Sequence, residues 1–351
     1  MTSSGLRMTA ASMNPLSDSE RTSVVECLEG SSILITGGTG SFGKAFLESA
    51  LTVANASRVA VYSRDELKQY EMKQRYGDDP RVRFFLGDVR DRDRLKMALH
   101  GVDYVVHAAA LKQVDTAEYN PMEYVKTNIL GSENVMLASI DAGVKKVVAL
   151  STDKASSPVN LYGATKLTAD KLFVSGNHYS HSYGTTFSVV RYGNVMGSRR
   201  SVIPFFQDLA SRGEPLPITD TRMTRFWITL PQAVSFVMDA FGSMQGGELF
   251  VPRIPSMKVT DLAEAIAPGS ELVEVGIRPG EKLHEEMISA EDSRRTIRQQ
   301  SRYIVLPTLA EWGFHEPPGE PVPDGFAYTS DTNDLWLSVD DIRAMLKANN
   351  F

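Results

Sequence analysis

SILITGGTGSFG, residues 32–43, decides the fold. Ser32 to Thr36 is a short apolar strand, and it runs directly into Gly37, Gly38, Thr39, Gly40, Ser41, Phe42 and Gly43, followed by a helix-like run from Lys44 to Val53. In a strand–turn–helix unit the glycines serve separate physical needs, namely a tight turn, close approach of backbone N–H groups to a pyrophosphate, and close packing of helix on strand. The helix N-terminus that follows favours phosphate charge. Gly37, Thr39, Gly40, Ser41, Phe42 and Gly43 are therefore expected at a dinucleotide cofactor.

Further strands follow at βαβ spacing. Arg58 to Tyr62 leads into Ser63, Arg64, Asp65 and Lys68. A hydroxyl and a guanidinium at this strand end suit a 2′-phosphate, which favours NADP over NAD. Ser63 to Glu66 also fits a helix capping box, and both readings are compatible. Val82 to Leu86 ends at Asp88 and Val89, where a carboxylate suits the adenine amino group or, alternatively, a helix cap. Tyr104 to His107 ends at Ala108, Ala109 and Ala110, small residues that let cofactor and chain approach, with Lys112 and Gln113 over the same space. Asn128 falls in one long helical pattern, Met122 to Ala142. Lys146 to Leu150 is the fifth strand and Phe187 to Tyr192 the sixth, ending at Asn194 and Val195; Glu248 to Val251 is a seventh. Alternating strands and helices predict an α/β fold, a doubly wound parallel Rossmann sheet. Residues 30–194 and 231–251 form the cofactor domain in this reading. Residues 195–230 and 252–351, irregular and rich in Pro and Arg, form a smaller C-terminal substrate-binding lobe outside the sheet, and residues 1–29 a flexible leader.

The chemistry concentrates in STDKASSPVNLYGATK, residues 151–166. Tyr162 and Lys166 are i and i+4, on one face of a helix beginning at Leu161, where an ammonium lowers the phenol's pKa and makes it a proton acceptor for an alcohol losing hydride. Thr152, Asp153 and Lys154 sit at the C-terminal end of the fifth strand, the end that faces the ligand crevice in open α/β sheets. A surface ion pair is the plain alternative for Asp153 and Lys154. Among Arg199, Arg200, Arg225 and Arg278, a cluster suits a diphosphate.

With 37 basic and 43 acidic residues, net charge −6, the surface does not favour nucleic acid or an acidic membrane. The lone Cys27 makes no internal disulfide, and no apolar run is long enough to span a bilayer, which fits a reducing, cytoplasmic setting. His178 and His181 lack acidic or Cys companions, so no metal site is expected.

TGGTGSFG, YxxxK and the position of Asn128 resemble the extended short-chain dehydrogenase/reductase superfamily. SRDELKQYEM, HAAALKQV, EYNPMEYVKTNILG, STDKA, LYGATK, RYGNVMGS, MTRFW, GIRPGEKLHEEM and SDTNDLWLS narrow the resemblance to the soluble inverting UDP-N-acetylglucosamine 4,6-dehydratases of the pseudaminic acid pathway. Tyr162, where membrane-anchored and capsular relatives usually carry Met, matches the soluble branch. The resemblance implies an NADP cycle without net redox change. In it Tyr162 accepts the C4 hydroxyl proton, Lys154 removes the C5 proton, Asp153 protonates the leaving C6 hydroxyl, and Thr152 holds the hexose or its keto oxygen. Lys112, Asn194, Arg199, Thr219, Arg225, Arg278 and Glu281 match the family's contacts to the UDP-sugar, and homo-oligomers are usual. Arg200 stands where the family usually has Gly. A nucleotide-sugar 4-epimerase would share Tyr162, Lys166 and the glycine turn without needing Asp153 and Lys154; a non-catalytic NADP-binding regulator would keep only the turn.

Overall fold

The computed structural model describes residues 27–197 and 202–351; Arg199, Arg200 and nearly all of the expected leader lie outside them. Apolar runs bounded by turns form β1 (Ser32–Thr36), β2 (Arg58–Ser63), β3 (Val82–Leu86), β4 (Tyr104–His107), β5 (Lys146–Thr152) and β6 (Thr186–Tyr192), paired in parallel in the order 3-2-1-4-5-6. The strand Leu249–Pro252 adds parallel to β6. Helices α1 (Ser41–Thr52), α2 (Glu66–Tyr76), α3 (Arg92–Ala98), α4 (Gly131–Ala142), α5 (Leu161–Ser180) and α6 (Leu230–Ser243) flank this sheet. Ile33, Ile35, Val59, Val61, Val106, Val148, Phe173 and Phe187 are among the side chains sealed between the layers.

The strand order reverses at β1, between β2 and β4, which opens a crevice at the carboxyl ends of these strands. Two glycines allow the chain to turn there. Gly37 has φ +66°, and a Cβ on it would lie 2.8 Å from the Ala109 backbone. A Cβ on Gly43 would lie 2.4 Å from the Gly38 Cα, so α1 starts hard against the turn.

Three expectations change. Part of the segment expected as a separate lobe returns to the sheet: Arg302–Val305 pairs antiparallel with Leu249–Pro252, followed by Thr296–Arg298 and Glu320–Pro321, giving a sheet of ten strands among the described residues. These strands are too short for a periodic signal, yet Ile297, Tyr303, Ile304 and Val305 are buried. The rest of that segment, with residues 202–230, builds two smaller apolar clusters, one around Ile203, Trp227, Leu262 and Ile342 and one around Phe206, Leu216 and Ile218.

The pattern Met122 to Ala142 is not one α-helix. It divides into Pro121–Tyr124, a π-helical turn Val125–Leu130, and α4. Asn128 lies in the π turn, a form that recurs at functional sites. Its side chain exchanges two 2.9 Å hydrogen bonds with the Leu111 backbone and donates to Thr165 Oγ1 at 3.0 Å. Asn128 thus fixes the loop after β4 against α5.

The cap of α2 is Asp65, which accepts from the Lys68 N–H at 3.0 Å, and not Ser63. Asp91 likewise caps α3 in place of Asp88. Among the described residues no helix is long and apolar enough to cross a membrane.

Leu28, inside the expected leader, is fully buried in the main core. Leu28→Ala should lower unfolding free energy by about 2–5 kcal/mol in chemical denaturation, the usual cost of emptying a buried leucine site. A change within about 0.5 kcal/mol, as at an exposed position, would contradict this packing.

Candidate active site

β5 ends in a 3-10 turn, Asp153–Ala155, and α5 begins only a few residues later, so the two halves of STDKASSPVNLYGATK fold back on each other. Contact is closest at Gly163, where a Cβ would sit 2.1 Å from the Lys154 carbonyl oxygen. Only a glycine lets the helix bearing Tyr162 and Lys166 seat on the turn bearing Asp153 and Lys154. Asn160 caps α5 by accepting from the Gly163 N–H at 2.7 Å, and its amide donates to the Gly280 carbonyl at 2.8 Å.

Asp153 is 1% exposed. Its Oδ1 accepts from the Thr152 hydroxyl at 2.8 Å and from Lys154 Nζ at 3.1 Å, while Oδ2 is buried without a protein partner. Lys154 Nζ also donates to Glu285 Oε1 at 3.1 Å. Burial pushes the Lys154 ammonium toward a lower pKa, but Asp153 and Glu285 outweigh burial and hold it above the ordinary lysine value. Lys154 therefore stands protonated between two carboxylates.

The Lys166 amine, expected to act on Tyr162, has a backbone partner of its own. Lys166 Nζ donates to the Leu150 carbonyl at 2.7 Å, and burial, opposed by Asp170, keeps its pKa below the ordinary value. Burial raises the Tyr162 phenol to about 12; the groups that pull it down are Lys154 and the Thr152 hydroxyl, while Asp153 and Asp170 push it up. Lys166 Nζ thus has the Leu150 carbonyl as its partner, while Lys154 is the cation that lowers the phenol most.

Next to these groups is a cavity of about 130 Å³. Lys154, Asn194, Arg225, Glu281 and Glu285 are among its walls, so three expected substrate residues meet the expected base here. Asn194 Oδ1 is buried and unpartnered, an acceptor suited to a ligand hydroxyl. The Arg225 guanidinium donates to the carbonyls of Thr224, Leu283 and Lys282, so it braces the wall. Arg278 is exposed at the turn leading to Glu281, and Thr219, after the strand Leu216–Ile218, is not among the lining residues. Glu285 is the participant that sequence reading missed. It lies 131 residues from Lys154, in a stretch of irregular period, and only its place in GIRPGEKLHEEM marked it.

Most of the expected cofactor residues follow the carboxyl ends of β1, β2, β3 and β4. Gly40 gives α1 no side-chain cap, which leaves the first-turn N–H groups to an anion. Thr39 Oγ1 and Ser63 Oγ are 2.8 Å apart, joining the glycine turn to the end of β2. Beyond it Arg64 is half exposed, with Nη1 3.6 Å from Asp88. Asp88 is engaged by Arg90, whose bonds outweigh burial and lower its pKa. Asp65 and Lys68 pair with each other. The N–H groups of Ala108 and Ala109 donate to the Thr36 carbonyl and hydroxyl, while Ala110 and Lys112 are exposed. Val89 is buried and Val195 is paired with Ile228. An uncapped helix N-terminus beyond a glycine turn, with Arg64 past β2, fits a dinucleotide.

Sheet order, glycine turn and Tyr162 with Lys166 together define an extended short-chain dehydrogenase/reductase. The chain belongs to the polysaccharide biosynthesis protein family, whose family model matches residues 33–307. A relative from Campylobacter jejuni serotype O:2, described as UDP-N-acetylglucosamine 4,6-dehydratase (inverting), is 54% identical over 87% of this chain and 94% of its own. A Rickettsia canadensis relative described as UDP-glucose 4-epimerase is 43% identical over 74% of this chain and 78% of its own. The solved structure of DesIV, a dTDP-glucose 4,6-dehydratase from Streptomyces venezuelae with NAD and TYD bound, is 26% identical. It covers 72% of this chain and 86% of that one at TM-score 0.64.

Gly163→Ala should separate the two halves of the site. Turnover is expected to fall about 100-fold, the scale of a 1 Å misplacement of reacting groups, with cofactor binding retained. Wild-type turnover in this variant would show that the close approach is dispensable.

Proposed function

We propose that the chain is an NADP-dependent UDP-N-acetylglucosamine 4,6-dehydratase that inverts C5. The observation that carries this reading is the contact of Lys154 with buried Asp153, 3.1 Å apart, directly beneath the start of the helix bearing Tyr162. A 4-epimerase has use for Tyr162 and Lys166 but none for a buried acid and amine in contact. Relatives described as dehydratases and as epimerases both exist, so the extra pair is the discriminating feature.

Bound NADP would supply the acceptor for the C4 hydride and return that hydride to C6. Arg64 and Ser63 would hold its 2′-phosphate end, and the first turn of α1 its pyrophosphate. Tyr162 accepts the C4 hydroxyl proton as the phenolate, having first given its own proton to solvent; because burial raises its pKa, that phenolate depends on the nearby Lys154 charge and on the Thr152 hydroxyl. The new 4-ketone acidifies C5–H.

Elimination then requires a neutral amine and a protonated carboxyl. The resting pair has the opposite charges, and one proton moved from Lys154 to Asp153 along their hydrogen bond supplies both. Lys154 next takes the C5 proton while Asp153 protonates the departing C6 hydroxyl, which leaves as water. The ammonium and carboxylate are restored together. Asn194 and Glu281, in the cavity wall, would bind the sugar nucleotide. Once hydride has returned to C6, a proton drawn from solvent adds to C5 from the opposite face and gives the L-arabino 4-keto-6-deoxy product.

Incubation with UDP-N-acetylglucosamine and NADP should give a product lighter by one water in mass spectrometry. An isomass product would support epimerisation and sink this reading. In heavy water the product should carry deuterium at C5. Lys154→Ala is expected to lose the elimination, by at least the roughly 10²–10⁴-fold of general acid–base catalysis, with NADP still bound. Full turnover in that variant would overturn the assignment.

A further inference from the structure

Three sequence strings outside the catalytic stretch, MTRFW, GIRPGEKLHEEM and SDTNDLWLS, converge on one carboxylate. Glu285 is 2% exposed. Its backbone is clamped to Ser330: the Glu285 N–H donates to Ser330 Oγ at 2.9 Å, and the Ser330 N–H donates to the Glu285 carbonyl at 2.8 Å. Ser330 Oγ in turn lies 2.7 Å from Thr224 Oγ1, which contacts His284 Nδ1 at 2.8 Å. The neighbouring segment is laced to the 3-10 turn as well. Glu286 accepts from the Ser156 and Ser157 hydroxyls at 2.6 Å each, and Lys282 Nζ donates to the Ser156 carbonyl at 2.5 Å.

We infer that Glu285 is a positioning residue for the elimination: it seats the Lys154 amine against Asp153 and supplies the second negative charge of a closed, balanced cluster. This rests on the dehydratase reading above. Glu285 Oε1 takes the Lys154 ammonium at 3.1 Å and faces Arg225 Nε at 3.7 Å, so Asp153, Lys154, Glu285 and Arg225 alternate in sign. Oε2 is buried with no protein donor. Such a carboxylate, fixed through its backbone on one side and spending one oxygen on a lysine, acts on the reaction through that lysine. A structural tie alone would not require a charge here, because an amide could accept the same hydrogen bond.

The charge has a consequence for pH. Asp153 and Glu285 favour the Lys154 ammonium, while Arg225 disfavours it; Lys112 and Lys282 also feel the Lys154 charge, and Lys154 acts on Tyr162. The Asp153–Lys154 pair works only while it holds one proton, which it loses as pH rises through the raised value of Lys154. Removing the Glu285 charge lowers that value, so activity is lost at a lower pH.

Glu285→Gln and Glu285→Asp, each with bound NADP, test this against wild type in kcat–pH profiles with UDP-N-acetylglucosamine. The expected Gln result is an alkaline limb moved down by about one pH unit or more, the scale of removing an opposite charge at this distance. Its kcat should fall at least about tenfold, part of the acid–base contribution, with KM changed by less than that. Asp, which keeps the charge, should place the limb nearer wild type than Gln does. A Gln variant whose limb coincides with wild type overturns the inference, whatever its kcat or melting temperature, because a purely structural Glu285 would lower activity without moving the limb. If Gln does not fold, Glu285→Ala serves as the neutral variant: a limb moved down supports the role, and a limb that coincides with wild type overturns it. A wild-type protein that releases no water fails the dehydratase reading itself.

Discussion

The absence of a side chain at Gly163 is the constraint on which the site depends. A Cβ there would fall 2.1 Å from the Lys154 carbonyl oxygen, inside any permitted contact. Because nothing occupies that space, α5 rests directly on the turn after β5, and two chemical pairs separated by several residues of chain become one site. Asn160 holds the arrangement from one side through Gly163 and from the other through Gly280, a residue at φ +79° with no room to spare against Asn160 itself. The C-terminal segment is therefore tied to the same few residues that position Tyr162.

The second condition is electrostatic. Asp153 and Glu285 are nearly inaccessible to water, and an unpaired buried carboxylate is costly. Alternation with Lys154 and Arg225 compensates, while removing one member of a buried pair typically costs about 3–5 kcal/mol. The same alternation leaves Asp153 Oδ2 and Glu285 Oε2 without protein donors. A site that satisfied every acceptor internally would have nothing left with which to hold or protonate a sugar hydroxyl. Lys154 also lowers the Tyr162 phenol against the effect of burial, so the proposed hydride and water chemistries would share one cation.

Much of this was legible in the chain, and for identifiable reasons. The six parallel strands announce themselves as apolar runs ended by turn residues, and SILITGGTGSFG marks the first crossover. STDKA and YGATK are local in sequence, and their proximity at Gly163 follows from the short connection between β5 and α5. What was not legible depends on long-range packing. Glu285 reaches Lys154 across 131 residues. The direction of the Lys166 amine, toward the Leu150 carbonyl, depends on the depth at which α5 sits on β5 and not on the i, i+4 spacing. The strands Thr296–Arg298 and Arg302–Val305 are too short to show a period, and the π turn around Asn128 looks helical in any pattern search. Ser63 looked like a helix cap, yet it joins Thr39, since Asp65 lies closer to the first free N–H groups of α2.

The central claim is that hydride transfer and water loss occur on one sugar within one site. UDP-N-acetylglucosamine deuterated at C4, mixed with unlabelled substrate, tests it most directly. The account predicts that the label appears in the C6 methyl group of the same molecule that lost it, in a product lighter by one water. Label retained at C4, released to solvent, or transferred to the unlabelled population would contradict it.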